Sequence, residues 1–81
     1  MEGTEEFWDE YYTELERARF SLIAAQLLAD EAEKIEDIPT LREYKRRHSK
    51  HIRAVYRHLR LAAKFRKKIA RFEKKASKAD G

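Results

Sequence analysis

Residues that break helices are almost absent from this chain of 81 residues. Glycine occurs only at positions 3 and 81, and the single proline is Pro39. The segments on either side of Pro39 are rich in Ala, Leu, Glu, Lys and Arg, which are strong helix formers. The sequence therefore predicts two long helices joined by a short turn. Because a short connection between long helices makes an antiparallel hairpin, we expect an all-α fold of one domain.

Capping signals set the expected ends of the two helices. Thr4 can cap the first helix, and Thr40 with Glu43 three residues later matches the capping box that begins a helix. The expected domain therefore comprises helix 1 over about 5–36, a turn at 37–40, helix 2 over about 41–76 and a frayed tail at 77–81.

Mostly apolar residues recur at alternating steps of three and four in both predicted helices, which is the spacing of a coiled-coil seam. In helix 1 the stripe comprises Trp8, Tyr11, Leu15, Ala18, Leu22, Ala25, Ala29 and Ala32. In helix 2 it comprises Leu41, Tyr44, His48, His51, Val55, His58, Ala62, Phe65, Ile69, Phe72 and Ala76. We therefore expect a hairpin that is coiled-coil-like.

The centre of helix 1 is apolar on a second side, roughly opposite that stripe at 100° per residue. The residues concerned are Phe20, Ile23, Ala24, Leu27 and Leu28. A two-helix hairpin cannot cover both sides, and a helix that is apolar all round needs cover on all sides. We expect a homodimer that packs the helix 1 centres into a four-helix bundle. A different protein partner on the same face and an uncovered apolar surface are the alternatives.

Charge is distributed unevenly between the halves of the chain. Residues 1–40 carry 12 acidic and 3 basic residues, a net charge of −9, whereas residues 41–81 carry 16 basic and 3 acidic residues, a net charge of +13. Such asymmetry indicates a polyanionic partner, internal pairing, or both. With a turn near Pro39, the acidic segment 2–16 would face residues 62–76, so we expect part of the charge to pair across the hairpin.

Basic residues recur every three or four positions on the side of helix 2 opposite its seam. The acid-free segment 17–29 of helix 1 would face the middle of this row, at about 49–61, and leave it unpaired. A long straight row of cations suits the phosphates of a nucleic acid and reads charge and shape rather than bases. The candidate binding residues are Arg17, Arg19, Arg46, Lys50, Arg53, Arg57, Arg60, Lys64, Lys67 and Arg71.

These features predict a protein that binds nucleic acid, most simply duplex RNA or DNA, with little sequence specificity. The expected dimer of hairpins resembles, in architecture only and with no shared motif, small viral or plasmid RNA-binding proteins. Two alternatives stay open. The basic row could be a solvated surface, or the hairpin could be a structural or adaptor protein that binds another protein through the apolar centre of helix 1.

The sequence offers no sign of catalytic chemistry. Two glycines at positions 3 and 81 cannot form a phosphate-binding loop, and no nucleophile with a suitable base stands out, so we expect no enzyme and no cofactor. His48 and His51 lie one turn apart but lack further ligands, so we expect no metal. We expect all three histidines, including His58, to be hydrogen-bonded near the acidic block 30–37.

Location follows from what the sequence lacks. There is no cysteine, no basic and apolar leader at the start, and no stretch of roughly 18 apolar residues. We therefore expect a cytoplasmic or nuclear protein. Helix 2 has the pattern of a basic amphipathic helix that can lie on an acidic membrane, but pairing with helix 1 would use its apolar face, so we expect no membrane binding.

Overall fold

Two α-helices make up the hairpin. The computed structural model describes residues 3–80, with side chains over 3–77, and places α1 at Glu5–Ala32 and α2 at Ile38–Asp80. The described part contains no strand, and the two helices pack against each other along their length. The predicted all-α hairpin is thus confirmed. The molecule measures 65 × 14 × 13 Å, and its long axis matches the length of about 65 Å expected for the 43 residues of α2.

Helix α1 ends at Ala32, four residues before the predicted end. The N–H of Lys34 donates to the carbonyl oxygen of Glu31, and the N–H of Ile35 donates to that of Ala32, both at 3.1 Å. Hydrogen bonds of this shorter span tighten the last turn and close the helix. The turn therefore occupies residues 33–37 rather than 37–40, and none of its residues has positive φ.

Helix α2 begins at Ile38, and Asp37 caps it rather than Thr40 as predicted. Oδ2 of Asp37 accepts hydrogen bonds from the hydroxyl of Thr40 at 2.6 Å and from its backbone N–H at 3.0 Å. These two bonds, the hydroxyl first, lower the pKa of Asp37 below its ordinary value. Pro39 fits inside the first turn because a backbone N–H at that position has no partner within the helix.

The open end of the hairpin also differs from the prediction. Helix α2 continues through Asp80, so residues 77–80, predicted as a frayed tail, are helical, while Gly81 lies outside the described residues. The ring of Phe72 lies against the backbone of Gly3, where any added Cβ would clash with it. Because α1 begins at Glu5, the seam ends at Phe72, and Ala76, predicted to lie in it, is exposed.

The stripe of α1 that faces α2 agrees only in part with the stripe predicted. Leu22 is 44% exposed and Ala29 is exposed, whereas Glu14 is buried and Ser21 half-buried. The buried or half-buried positions of α1 that follow the seam are Phe7, Tyr11, Glu14, Ala18, Ser21, Ala25, Leu28 and Ala32, with Ile35 beyond the helix end. This stripe shares its alanines with the predicted one and places the polar Glu14 and Ser21 where Leu15 and Leu22 were predicted, although Trp8 and Leu15 of the predicted stripe are also half-buried.

Two contacts between the helices fix their register. The Tyr44 hydroxyl donates to Oε2 of Glu31 at 3.2 Å, and His58 pairs with Glu14. A turn centred on Pro39 would instead place Lys34 level with Tyr44 and Phe20 level with His58. The predicted register was therefore wrong by several residues, because the turn lies nearer the start of the chain.

Candidate nucleic-acid interface

The side of α2 that points away from α1 is lined with cations. Every member of this row is exposed, and the seam residues of α2 lie on the opposite side of the helix. We call this row the basic face; it comprises Arg46, Lys50, Arg53, Arg57, Arg60, Lys64, Lys67 and Arg71. At 1.5 Å per residue, Lys50 and Arg71 lie about 32 Å apart along the axis.

Two shallow concavities follow each other along this side of α2. One, of about 590 Å³, is lined by Arg57, Arg60, Leu61, Ala63, Lys64 and Lys67. The other, of about 570 Å³, is lined by Arg47, Lys50, His51, Arg53, Ala54 and Arg57. Arg57 borders both, so it lies near the middle of the basic face. The spaces between these long side chains are open and could admit phosphate groups.

Most of the basic face has no carboxylate nearby. Arg46 pairs with Glu43 at 3.1 Å, and the nearby Arg47 pairs with the same carboxylate at 3.3 Å. The Nε–H of Arg53 donates to the backbone oxygen of Ser49 at 3.4 Å. Within residues 3–77, no cation of the basic face from Lys50 to Arg71 lies within 4.0 Å of a carboxylate.

The ion pairs expected across the hairpin do not form in the described part of the chain. Every Lys or Arg pair with a carboxylate over residues 3–77 lies within a single helix. At the open end the cations of α2 meet aromatic rings instead. The Arg66 guanidinium lies 5.1 Å from the centre of the Trp8 ring, and Nζ of Lys68 lies 5.8 Å from that of Phe7. Charged residues at the same level on the two helices therefore lie on different sides of the hairpin. Over residues 3–77, most acidic residues of α1 have no basic partner on α2.

The two arginines of α1 do not join the basic face. Nη1 of Arg17 bonds Oε1 of Glu14 at 2.9 Å, although its side chain remains 59% exposed. Arg19 is exposed beside Phe20 and Ile23, on the side of α1 that points away from α2. In a single hairpin Arg19 therefore lies on the side opposite the basic face.

A buried polar cluster lies under the middle of the hairpin and was missed by the sequence analysis. Glu14, expected to be solvated like the other acidic residues, is only 4% exposed and bonds both His58 and Arg17. The available signal was its position, since Glu14 lies one turn from both Tyr11 and Ala18. Charged residues are almost never fully buried unless they are paired, which is why a carboxylate was assigned to solvent.

The histidines lie in the seam as predicted, but their surroundings differ from the prediction. His58 bonds Glu14, far from the acidic block 30–37. His48 and His51 are half-buried, and the hydrogen bonds found over residues 3–77 include none from their rings. In that same part of the chain, no three His, Asp or Glu side chains are grouped so that they could hold a metal ion.

Comparison with known proteins gives no further information about this site. No protein-family model, no curated protein and no solved structure matches the chain. Over the described residues, neither helix is both long and apolar enough to cross a membrane. A functional proposal therefore depends on the chain's own geometry and charge.

Proposed function

We propose that this chain is a non-catalytic protein that binds a nucleic-acid duplex through the basic face of α2, with little sequence specificity. The observation that supports this most is the run of exposed cations from Lys50 to Arg71 with no carboxylate of residues 3–77 within 4.0 Å. Such a run is a surface of uncompensated positive charge on one straight helix.

The spacing of these cations suits a phosphate backbone. Side chains three or four residues apart lie about 5–6 Å apart on a helix surface, and duplex DNA carries one charge per about 1.7 Å of axis. Each cation that neutralises a phosphate releases condensed counterions, which supplies affinity without reading any base. A helix face made of long flexible cations positions a backbone but offers no defined contact to base edges, so specificity should be low.

The basic face is unfavourable for the hairpin alone. Like charges three or four residues apart on a helix repel each other and destabilise it. Within residues 3–77, α1 supplies no carboxylate to relieve this repulsion. A polyanion that binds along the row would relieve it, which is a physical reason to expect such a ligand. Duplex RNA and duplex DNA both fit, and RNA duplexes are recognised largely through shape, phosphates and 2′-hydroxyls.

An adaptor role, in which the hairpin binds another protein through the apolar centre of α1, remains the alternative function. Exposure of Phe20 and Leu27 favours it. It makes no use of the basic face, so the two functions predict opposite results in a nucleic-acid titration.

A charge-reversal pair tests the proposal directly. We expect Arg53→Glu combined with Arg57→Glu to abolish binding to a duplex while the helical content measured by circular dichroism is retained. The matched control reverses two exposed lysines near the turn, Lys34→Glu with Lys45→Glu, which changes the net charge equally but leaves residues 50–71 intact. Equal loss of binding in both variants would mean that net charge alone matters, and the assignment of the basic face would be wrong.

A further inference from the structure

The side of α1 that points away from α2 carries an uncovered apolar surface. Phe20 is 71% exposed, Leu27 is 59% exposed and Ile23 is 42% exposed. These three residues recur at steps of four and three, so they form one continuous stripe opposite the seam; we call it the apolar face. Of the other two residues predicted for this surface, Ala24 is half-buried and flanks it, whereas Leu28 is half-buried in the seam.

The hairpin alone buries few large apolar side chains. Among the described residues, the buried apolar side chains are Ala18, Ala25, Ala62 and Ile69, and only Ile69 is large. The accessible surface is 6928 Å², whereas a folded monomer of 9.7 kDa exposes about 5,100 Å². The excess of about 1,800 Å² per chain is larger than the roughly 800 Å² that each partner buries in a standard interface between two proteins. Small domains with a thin core gain stability from such additional burial.

We propose that a second copy of this chain covers the apolar face, with the two α1 helices antiparallel about a two-fold axis level with Ala25. Ile23 and Leu27 lie two residues on either side of that level, so Ile23 of one copy packs against Leu27 of the second copy, and the reverse. An isologous contact of this kind closes on itself and makes a dimer rather than a filament.

The charges that flank the apolar face complement each other in this arrangement. On one flank Arg19 comes next to Glu33 of the second copy, within about 3 Å of the same level along the axis. On the other flank Arg17 comes next to Glu31 of the second copy, at a similar offset. Two-fold symmetry makes each pair occur twice, and all four side chains are exposed in the single hairpin. Charge patterns of this kind select both the partner and its orientation in helix pairs.

The dimer has a defined overall arrangement. Because the apolar face lies opposite the seam, the four helices of the proposed dimer form one layer in the order α2, α1, α1, α2, rather than the four-helix bundle predicted from the sequence. The basic faces then lie on the two outer edges of that layer and point in opposite directions.

Mass measurement tests the dimer first. Sedimentation or light scattering over about 5 to 500 µM should show a rise towards twice the chain mass of 9.7 kDa. Ile23→Lys with Leu27→Lys should hold the chain at the monomer mass, and circular dichroism will show whether it remains helical. A wild-type chain that stays monomeric over this whole range overturns the proposal and leaves the apolar face to a different protein.

A charge swap tests the antiparallel register on variants that keep the apolar face intact. Arg19→Glu alone and Glu33→Arg alone should each raise the dimer dissociation constant at least about tenfold, because each creates two like-charge contacts. The double variant, Arg19→Glu with Glu33→Arg, should restore the wild-type value. Failure of the double variant to restore dimerisation would overturn the register, as would single variants that dimerise like the wild type.

Discussion

Nδ1 of His58 lies 2.5 Å from Oε2 of Glu14, so an imidazole and a carboxylate from different helices are bonded inside the seam. The other carboxylate oxygen, Oε1, accepts a hydrogen bond from Arg17 at 2.9 Å. Both oxygens of the buried carboxylate therefore have partners. Sliding one helix by a turn would leave this carboxylate buried without its imidazole, which is costly, so we infer that the pair helps to fix the register of the hairpin.

Removing one partner of the Glu14 and His58 pair should lower the free energy of unfolding more than removing both. Glu14→Ala leaves a half-buried imidazole without its acceptor and should lower the free energy of unfolding by about 1–3 kcal/mol. Replacing both residues, Glu14→Leu with His58→Leu, removes the polar groups together and should cost less than either single change. Urea unfolding at one fixed protein concentration compares the double variant with Glu14→Leu alone and His58→Leu alone, and additive losses from the two single changes would contradict this account.

The cap at the start of α2 should make stability depend on pH in the acid range. The pKa of Asp37 is lowered by folding, so its contribution is fully present above the unfolded value of about 3.9 and is lost as pH falls through the lower folded value. Asp37→Asn retains a capping side chain that does not titrate. The wild-type chain should therefore melt at a higher temperature than Asp37→Asn near pH 6, and the two should converge near pH 2. A difference that is the same at both pH values would contradict the assigned cap.

Removing two cations from the basic face should change how binding depends on salt. Each neutralised phosphate contributes about 0.9 to the slope of log affinity against log salt concentration for duplex DNA. Arg53→Ala with Arg57→Ala should reduce that slope by about 2, and should do so equally for unrelated duplex sequences. Titrations at several salt concentrations give the slopes, and an unchanged slope would show that these two arginines do not contact phosphates.

The proposed dimer should bridge two duplexes because its basic faces point in opposite directions. A biotin-tagged duplex on a bead should retain a second, fluorescent duplex when the wild-type chain is added. Ile23→Lys with Leu27→Lys should still bind single duplexes but should not bridge them. Bridging by this variant at the wild-type level would separate bridging from dimerisation and contradict the arrangement.

The sequence predicted the hairpin because a single internal proline between helix-forming segments allows few other folds. It did not predict which stripe of α1 faces α2. Two stripes at coiled-coil spacing share Tyr11 and the alanines Ala18, Ala25 and Ala32. Where they differ, the predicted Leu22 and Ala29 are exposed, whereas Trp8 and Leu15 are half-buried. The seam of α2 carries histidines, and His58 pairs with the polar Glu14 of the other stripe. A pairing of this kind is a property of two helices together, which periodicity within one helix does not show.

The end of the turn was misplaced for a similar reason. Asp37 and Thr40 can both cap a helix, and the capping-box pattern favoured Thr40. The hydroxyl of Thr40 instead reinforces the cap at Asp37 from inside the first turn. The basic face itself was predicted correctly as an exposed row, since cations opposite an apolar stripe have nowhere else to lie. The ion pairs across the hairpin were predicted only from the position of each residue along the helix axis. The direction of each side chain around that axis was not taken into account.

A titration of the purified wild-type chain against duplex RNA, duplex DNA and single strands, at about 50 and about 200 mM salt, tests the central claim most directly. We predict binding to a duplex at the lower salt concentration that weakens steeply at the higher one, with single strands bound less tightly. Absence of binding to any nucleic acid at the lower salt concentration would contradict the claim and would identify the basic face as a solvated surface or a surface for an acidic protein.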